Sequence, residues 1–119
     1  MLPSYMLSQV YIQKSLINTP EGYEFKLKNN IDTGTLGGVI SLTVDGASVP
    51  LSAITIKTAA GQRRAEEINY RNSLLVMYGS EINTSVVGQP LAVGHHEIKL
   101  VVSVLEAGRL EFTLADDVE

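Results

Sequence analysis

The chain contains no cysteine and no tryptophan among its 119 residues. The first absence excludes disulfides, thiolate metal sites and cysteine nucleophiles together. The second leaves few of the flat exposed rings on which sugars stack. Charge is also scarce: Asp, Glu, Lys and Arg make up 18 % of the residues, against about 25 % in a typical soluble domain. With an apolar fraction of 45 %, such a surface is expected to be partly covered by a partner chain. No apolar run approaches the roughly 20 residues of a membrane span. The opening Met1-Leu-Pro-Ser-Tyr-Met-Leu-Ser-Gln-Val lacks both the basic leader and the apolar stretch of a signal peptide. These absences predict cytoplasmic residence and no membrane association. Residues 106–119 hold five acids against Arg109 alone, and the rest of the chain is balanced at eight acids and eight bases. No basic surface for a phosphate backbone results, which excludes nucleic acid, and the acidic end reads as a solvated terminus.

What is present is strand. Tyr23-Glu-Phe-Lys-Leu-Lys alternates apolar and polar, the period-2 signature of a half-buried strand with Tyr23, Phe25 and Leu27 inward. Ile40-Ser-Leu-Thr-Val repeats it through Ile40, Leu42 and Val44 and closes on Asp45-Gly46, a two-residue hairpin signal. The return Ala47-Ser-Val-Pro ends in Pro50, which cannot donate to a ladder and so predicts an edge. Ile54 and Ile56 alternate again. Gln62 to Ile68 has the spacing for two helical turns, with Arg63 and Glu67 as an i,i+4 pair. Ser73 to Gly79 reads as a strand apolar on both faces, either central or covered by another chain. Ile82 to Val87 is β-branched enough for a further strand. After Gly94, His96, Ile98, Leu100, Val102 and Val104 share one face, and Leu110-Glu-Phe-Thr-Leu alternates a last time. Seven to nine short strands at about ten-residue spacing predict a single all-β, antiparallel, immunoglobulin-like sandwich spanning 1–119, with at most one short helix near 62–68.

Chemistry is sparse. On a strand, His95 and His96 point to opposite faces, so they cannot share a metal, and His95 with Glu97 falls short of a zinc ligand set. A histidine capping a hairpin is the better reading. No Gly-x-Ser-x-Gly elbow surrounds any serine. Gly34, Gly37 and Gly38 precede a strand rather than open a helix, the wrong context for cradling phosphate. They read as a mobile loop able to serve as contact surface. Paired carboxylates for glycoside hydrolysis cannot be placed across a cleft from sequence. With Tyr23 and Phe25 inward, Tyr5, Tyr11, Tyr70 and Tyr78 remain as exposed rings. Tyr70 beside Arg71 is the best of them. Loops 33–38 and 60–72 are therefore the candidate pocket-rim or interface segments, with Gly34, Gly37, Tyr70 and Arg71 as their named residues.

Four segments in order, Pro3-Ser-Tyr-Met, Gly22-Tyr-Glu-Phe-Lys-Leu, Ile40 through Pro50, and Leu91-Ala-Val-Gly-His-His-Glu-Ile-Lys-Leu-Val-Val, resemble the small β subunit of bacterial C-glycoside deglycosidases. That resemblance implies an accessory, non-catalytic subunit of a carbon–carbon lyase. Its partner would be a barrel-fold α subunit carrying a divalent metal, manganese by expectation, and the acid–base residues. Its substrates would be 3-oxo-C-glycosides, such as those of flavonoids. No cofactor and no catalytic or metal-binding residue is expected in this chain. The alternative is a stand-alone immunoglobulin-like module attaching to carbohydrate or protein.

Overall fold

A computed structural model describes residues 9–119. The segment Pro3-Ser-Tyr-Met and the ring of Tyr5 lie outside the described residues. Ten strands follow one another along the chain: β1 (Ile17–Thr19), β2 (Gly22–Lys28), β3 (Gly34–Val44), β4 (Ala47–Ser48), β5 (Ile54–Thr58), β6 (Gly61–Arg64), β7 (Leu74–Val76), β8 (Glu81–Val87), β9 (Gly94–Val104) and β10 (Gly108–Val118). Single 3-10 turns occupy Leu51–Ala53 and Ala65–Glu67. One sheet has the order β1-β2-β8-β5-β6 and the other β10-β9-β3-β4, with β7 on the first residues of β3. Every pairing is antiparallel. The all-β sandwich expected from the period-2 pattern is what the chain forms.

The alternation decides which side chains meet between the sheets. Tyr23, Phe25 and Leu27 of β2, Ile54 and Ile56 of β5, and Ile98, Leu100 and Val102 of β9 are all buried in one apolar cluster. Asp45 and Gly46 both have positive φ, +52° and +83°, the mirror-image turn that suits the twist of two strands. Strand β4 is a two-residue edge, as Pro50 requires.

Five expectations fail locally, each for a physical reason. Ile40 is 45 % exposed, whereas Val39 is buried. Strand β3 shifts register against β9 between Leu36 and Gly38 and again between Val39 and Ser41. Each bulge inserts a residue and flips the alternation. The glycines at 34, 37 and 38 are therefore not a loop but the bulged first half of an eleven-residue strand. Residues 62–68 form one 3-10 turn, Ala65–Glu67, rather than two helical turns: Gly61, at φ +142°, closes a hairpin in which Gln62, Arg63 and Arg64 pair with Lys57, Ile56 and Thr55. Consequently Arg63 donates to Asn72 Oδ1 at 3.0 Å, and the ion pair is instead Arg64 with Glu66. The apolar run at 73–79 yields only three strand residues, with Leu74 buried and Leu75 43 % exposed. Among the described residues it pairs with β3 alone and is not central, which leaves cover by another chain as the reading of its apolar faces. Finally, the acidic end is no solvated tail: β10 runs to Val118 along β9 in unbroken register, and Asp116 is buried.

Candidate functional site

The titratable groups sit mainly where loops are fastened. His96 is buried at the end of the sandwich that carries the β3–β4 turn, its Nδ1 2.6 Å from Asp45 Oδ2 and its Nε2 2.6 Å from the Ala92 carbonyl. Both partners accept hydrogen bonds, so the setting favours the imidazolium, in which both ring nitrogens donate. The Ala92 carbonyl first, then the Asp45 carboxylate, hold its pKa above the ordinary histidine value. Asp45 is held below its ordinary value, first by the hydrogen bond from Glu97 N and then by His96. The expected hairpin-capping histidine is thus His96. His95 lies on the outer face, with Asp117 Oδ1 3.2 Å from its Nδ1 and Glu97 Oε1 3.9 Å from its Nε2. These two carboxylates approach opposite sides of the ring and do not converge on one point. Among the described residues no group of three His, Asp or Glu side chains could hold a metal ion.

A second fastening joins the chain's beginning to its end. Tyr11, expected as an exposed ring, is buried and donates its hydroxyl to Asp116 Oδ2 at 2.5 Å; Leu16 N donates to the same oxygen at 3.3 Å. Burial opposes the Asp116 charge, but the hydrogen bonds from Tyr11, Asp117 N and Leu16 N outweigh it and bring the carboxyl below its ordinary pKa. Burial, followed by the bond to Asp116, pushes the Tyr11 hydroxyl well up.

The two candidate interface segments do come together, at the opposite end of β3. The Ile68 carbonyl lies 3.8 Å from where a Cβ on Gly38 would stand, and the Ala65–Glu67 turn packs on β3. Residues 69–72 form a tight turn: Asn69 and Asn72 exchange backbone hydrogen bonds, and Asn69 Oδ1 accepts from Arg71 N and Asn72 N. Tyr70 and Arg71 occupy its tip. Tyr70 is 69 % exposed, and the Arg71 guanidinium lies 5.4 Å from its ring centroid, a cation–π contact. Gly37 makes room for Leu105, because a Cβ there would stand 2.6 Å from Leu105 Cδ2. Leu75 pairs with Thr35 and so shares the outer face of the sheet with it. Leu75, Met77, Tyr78 and Leu105 are all exposed; Leu105 N donates to the Thr35 carbonyl and Tyr78 N to Thr33 Oγ1, so apolar side chains gather around the start of β3. The signal of this gathering in the sequence is the doubly apolar run at 73–79.

Gly34 has a different position. It stands at the mouth of a cavity of about 280 Å³ between the sheets, with Asp32, Thr33 and Glu106 around the opening and Leu100, Phe112 and Thr84 inside. Glu106 holds this rim by accepting from Thr35 N and Thr35 Oγ1, both at 2.8 Å. Those bonds, the side-chain one first, lower its pKa. Thr84 is a residue that sequence reasoning missed. Its signal is a polar side chain at the inward position between Ile82 and Val86.

Compared with known proteins, residues 6–119 match a family model described as "Hydroxymethylglutaryl-CoA reductase, N-terminal domain". No curated protein matches the chain. The family match overturns the resemblance to the C-glycoside deglycosidase β subunit, and with it the lyase and flavonoid-glycoside reading and the alternative of a stand-alone binding module. Within the described residues, the segments that carried the resemblance are mainly alternating strands and an Asp-Gly turn, features common to antiparallel sandwiches. They record architecture rather than descent. The barrel-fold α subunit, its divalent metal and the 3-oxo-C-glycoside substrate were implied by that resemblance and lose their basis with it.

Proposed function

The chain belongs to the hydroxymethylglutaryl-CoA reductase N-terminal domain family, and on that premise we propose that it serves as a non-catalytic part of a reductase, docking against the portion that carries the chemistry. The observation that supports this reading most directly is the use of its charged groups. His96, Asp45, Asp116 and Glu106 are each bound to backbone or to another side chain of the same chain. Groups engaged in this way fasten a scaffold. A coenzyme A thioester carries several phosphate charges. The cavity mouth presents Asp32 and Glu106 with no basic residue in its lining, an arrangement that repels polyanions.

What the chain offers a partner is the outer face at the start of β3. Leu75, Met77, Tyr78 and Leu105 are exposed there, and Tyr70 stacked with Arg71 is exposed at the tip of the 69–72 turn. Interfaces are enriched in tyrosine, arginine and methionine in this way, and contiguous exposed apolar surface marks them. The test mixes this chain with the catalytic portion of a reductase from the same source. Co-elution is expected, and it is lost when Leu75→Asp and Leu105→Asp are combined. The chain alone, supplied with hydroxymethylglutaryl-CoA and a reduced nicotinamide dinucleotide, is expected to give no turnover; turnover would overturn the reading.

A further inference from the structure

The edges of the two sheets are short, with one exception. Strands β1 and β7 have three residues, β6 has four, and β4 has two followed shortly by Pro50. Short and proline-bearing edges keep a sheet from pairing with other chains. Strand β10 departs from this pattern. It runs eleven residues, contains no proline and holds unbroken register with β9 from Gly108 to Val118. Among the described residues no strand lies on its other side, so alternate peptide groups along about 35 Å of backbone lack a ladder partner.

The side chains beside this border decide which strand completes the ladder. Leu110 and every second residue to Val118 are buried, and the alternate set faces out. On that outer face Glu111 is engaged by Lys99 at 2.9 Å, so its charge is largely met. Around Ala115 the balance is different. Asp117 is two residues further along β10, and Glu97 stands directly across from Ala115 on β9. Their side chains are 70 % and 74 % exposed, with the His95 ring between them. Ala115 itself carries only a methyl group. Strands lie about 4.8 Å apart, so a residue opposite Ala115 is about 10 Å from Glu97, a span that an extended lysine or arginine and the glutamate close between them. Asp117 is the diagonal neighbour of that same residue. An apolar or acidic residue there would leave both carboxylates uncompensated or repelled.

We propose that the free border of β10 is a strand-addition site for a basic segment of another protein, which lays a lysine or arginine opposite Ala115 with β-branched residues on either side. The backbone ladder supplies the attachment, and Asp117 with Glu97 selects the positive charge, the division of labour general to strand addition. This surface is distinct from the apolar side chains at the start of β3. Leu105 precedes the first residue of β10, whereas Ala115 and Asp117 lie toward its end.

The experiment titrates the full chain at pH 7.5 and low salt with a nine-residue peptide of alternating valine and lysine, blocked at both ends, and follows the backbone amides by NMR. Saturable shifts along 109–118 are expected, with slowed hydrogen exchange at every second amide of β10. A peptide with glutamate in place of lysine is expected to bind at least tenfold more weakly. So is the lysine peptide methylated on its backbone nitrogens, which keeps the charge and removes the ladder donors. Asp117→Asn combined with Glu97→Gln, both at exposed positions, is expected to weaken the lysine peptide at least fivefold, while Leu75→Asp with Leu105→Asp leaves it unchanged. The proposal is overturned by no saturable shift on β10, by the glutamate or the methylated peptide binding as well as the parent, or by the Asp117/Glu97 variant binding unchanged. Loss of binding in the Leu75/Leu105 variant would place the peptide on the other surface and overturn it too. So would protection of every β10 amide in the free chain, or a free chain that sediments as a dimer paired through β10, because the border would already be taken.

Discussion

Replacing His96 by leucine tests the reading of the β3–β4 hairpin most sharply. The imidazolium makes two hydrogen bonds of 2.6 Å in a buried setting, one to a carboxylate and one to a carbonyl. Leucine keeps most of the volume and removes both. Asp45 is 47 % exposed at its side chain and retains Glu97 N at 2.8 Å, so water compensates it in part, whereas the Ala92 carbonyl loses a donor. A hydrogen bond to a charged group is worth about 1.5–3 kcal/mol, and about 2 kcal/mol is expected for the exchange near pH 6. Unfolding entropy near 2.1 cal/mol/K per residue makes 1 kcal/mol worth about 4 °C in a chain of this length, so the variant should melt about 8 °C lower. The pH dependence has a definite sign. Because the folded-state pKa of His96 is raised, its stabilisation is complete below the unfolded value of about 6.5 and disappears as pH rises through the folded value. Asp45 is depressed, so its contribution is complete above the unfolded value of about 3.9 and is lost as pH falls through the folded one. The difference between parent and H96L melting temperatures should therefore be largest between about pH 4 and 6.5 and shrink on the alkaline side. Thermal melts by circular dichroism at pH 5 to 9 measure it, and taking the difference cancels His95. A constant difference across that range, or ring nitrogens titrating below the ordinary histidine value by NMR, would refute the imidazolium.

The second fastening is tested by Tyr11→Phe, which removes the hydroxyl from Asp116 and should cost about 1.5–3 kcal/mol by urea denaturation at pH 7. That loss should diminish as acid protonates Asp116, because a carboxyl with a depressed folded pKa contributes only while ionised. Gly22→Ala should cost at least about 2 kcal/mol, because an added Cβ would stand 2.1 Å from the Val86 carbonyl oxygen and force β2 away from β8; an unchanged urea midpoint would contradict it. The bulges of β3 predict opposite outcomes two residues apart. Ile40→Thr should change stability by no more than about 0.5 kcal/mol, while Leu42→Ala, in the core at 1 % exposure, should cost about 2–5 kcal/mol.

The strands with unbroken alternation were legible from sequence, β2, β5, β9 and β10 above all, because a period of two admits one inward set. So were the hairpin turn at Asp45-Gly46 and the edge at Pro50. Ile40 was misread because a bulge leaves no mark in composition beyond the glycines beside it, and those glycines also suit a loop. At 62–68 the choice between a short helix and an irregular excursion stayed open, because local spacing gave no hint that Gly61 would return the chain onto β5; long-range pairing left only the 3-10 turn at Ala65–Glu67. At the candidate site, Gly34, Gly37, Tyr70 and Arg71 were named, but their separation into a cavity mouth and an outer turn depends on which sheet face each occupies. Family membership was not legible at all from segments that any sandwich shares.

Among the described residues, strand β10 has a neighbour on one side only. It runs eleven residues with no proline and no bulge, so alternate peptide groups along its free border have no partner strand among the described residues. Such a border templates the growth of a sheet from one molecule into the next unless something intervenes. Here the guard is electrical: Glu111, Asp117 and Glu119 are exposed against Arg109 alone on that segment. Protonating these carboxylates in acid removes their like-charge repulsion between facing borders, and edge-to-edge stacking is then less strongly opposed.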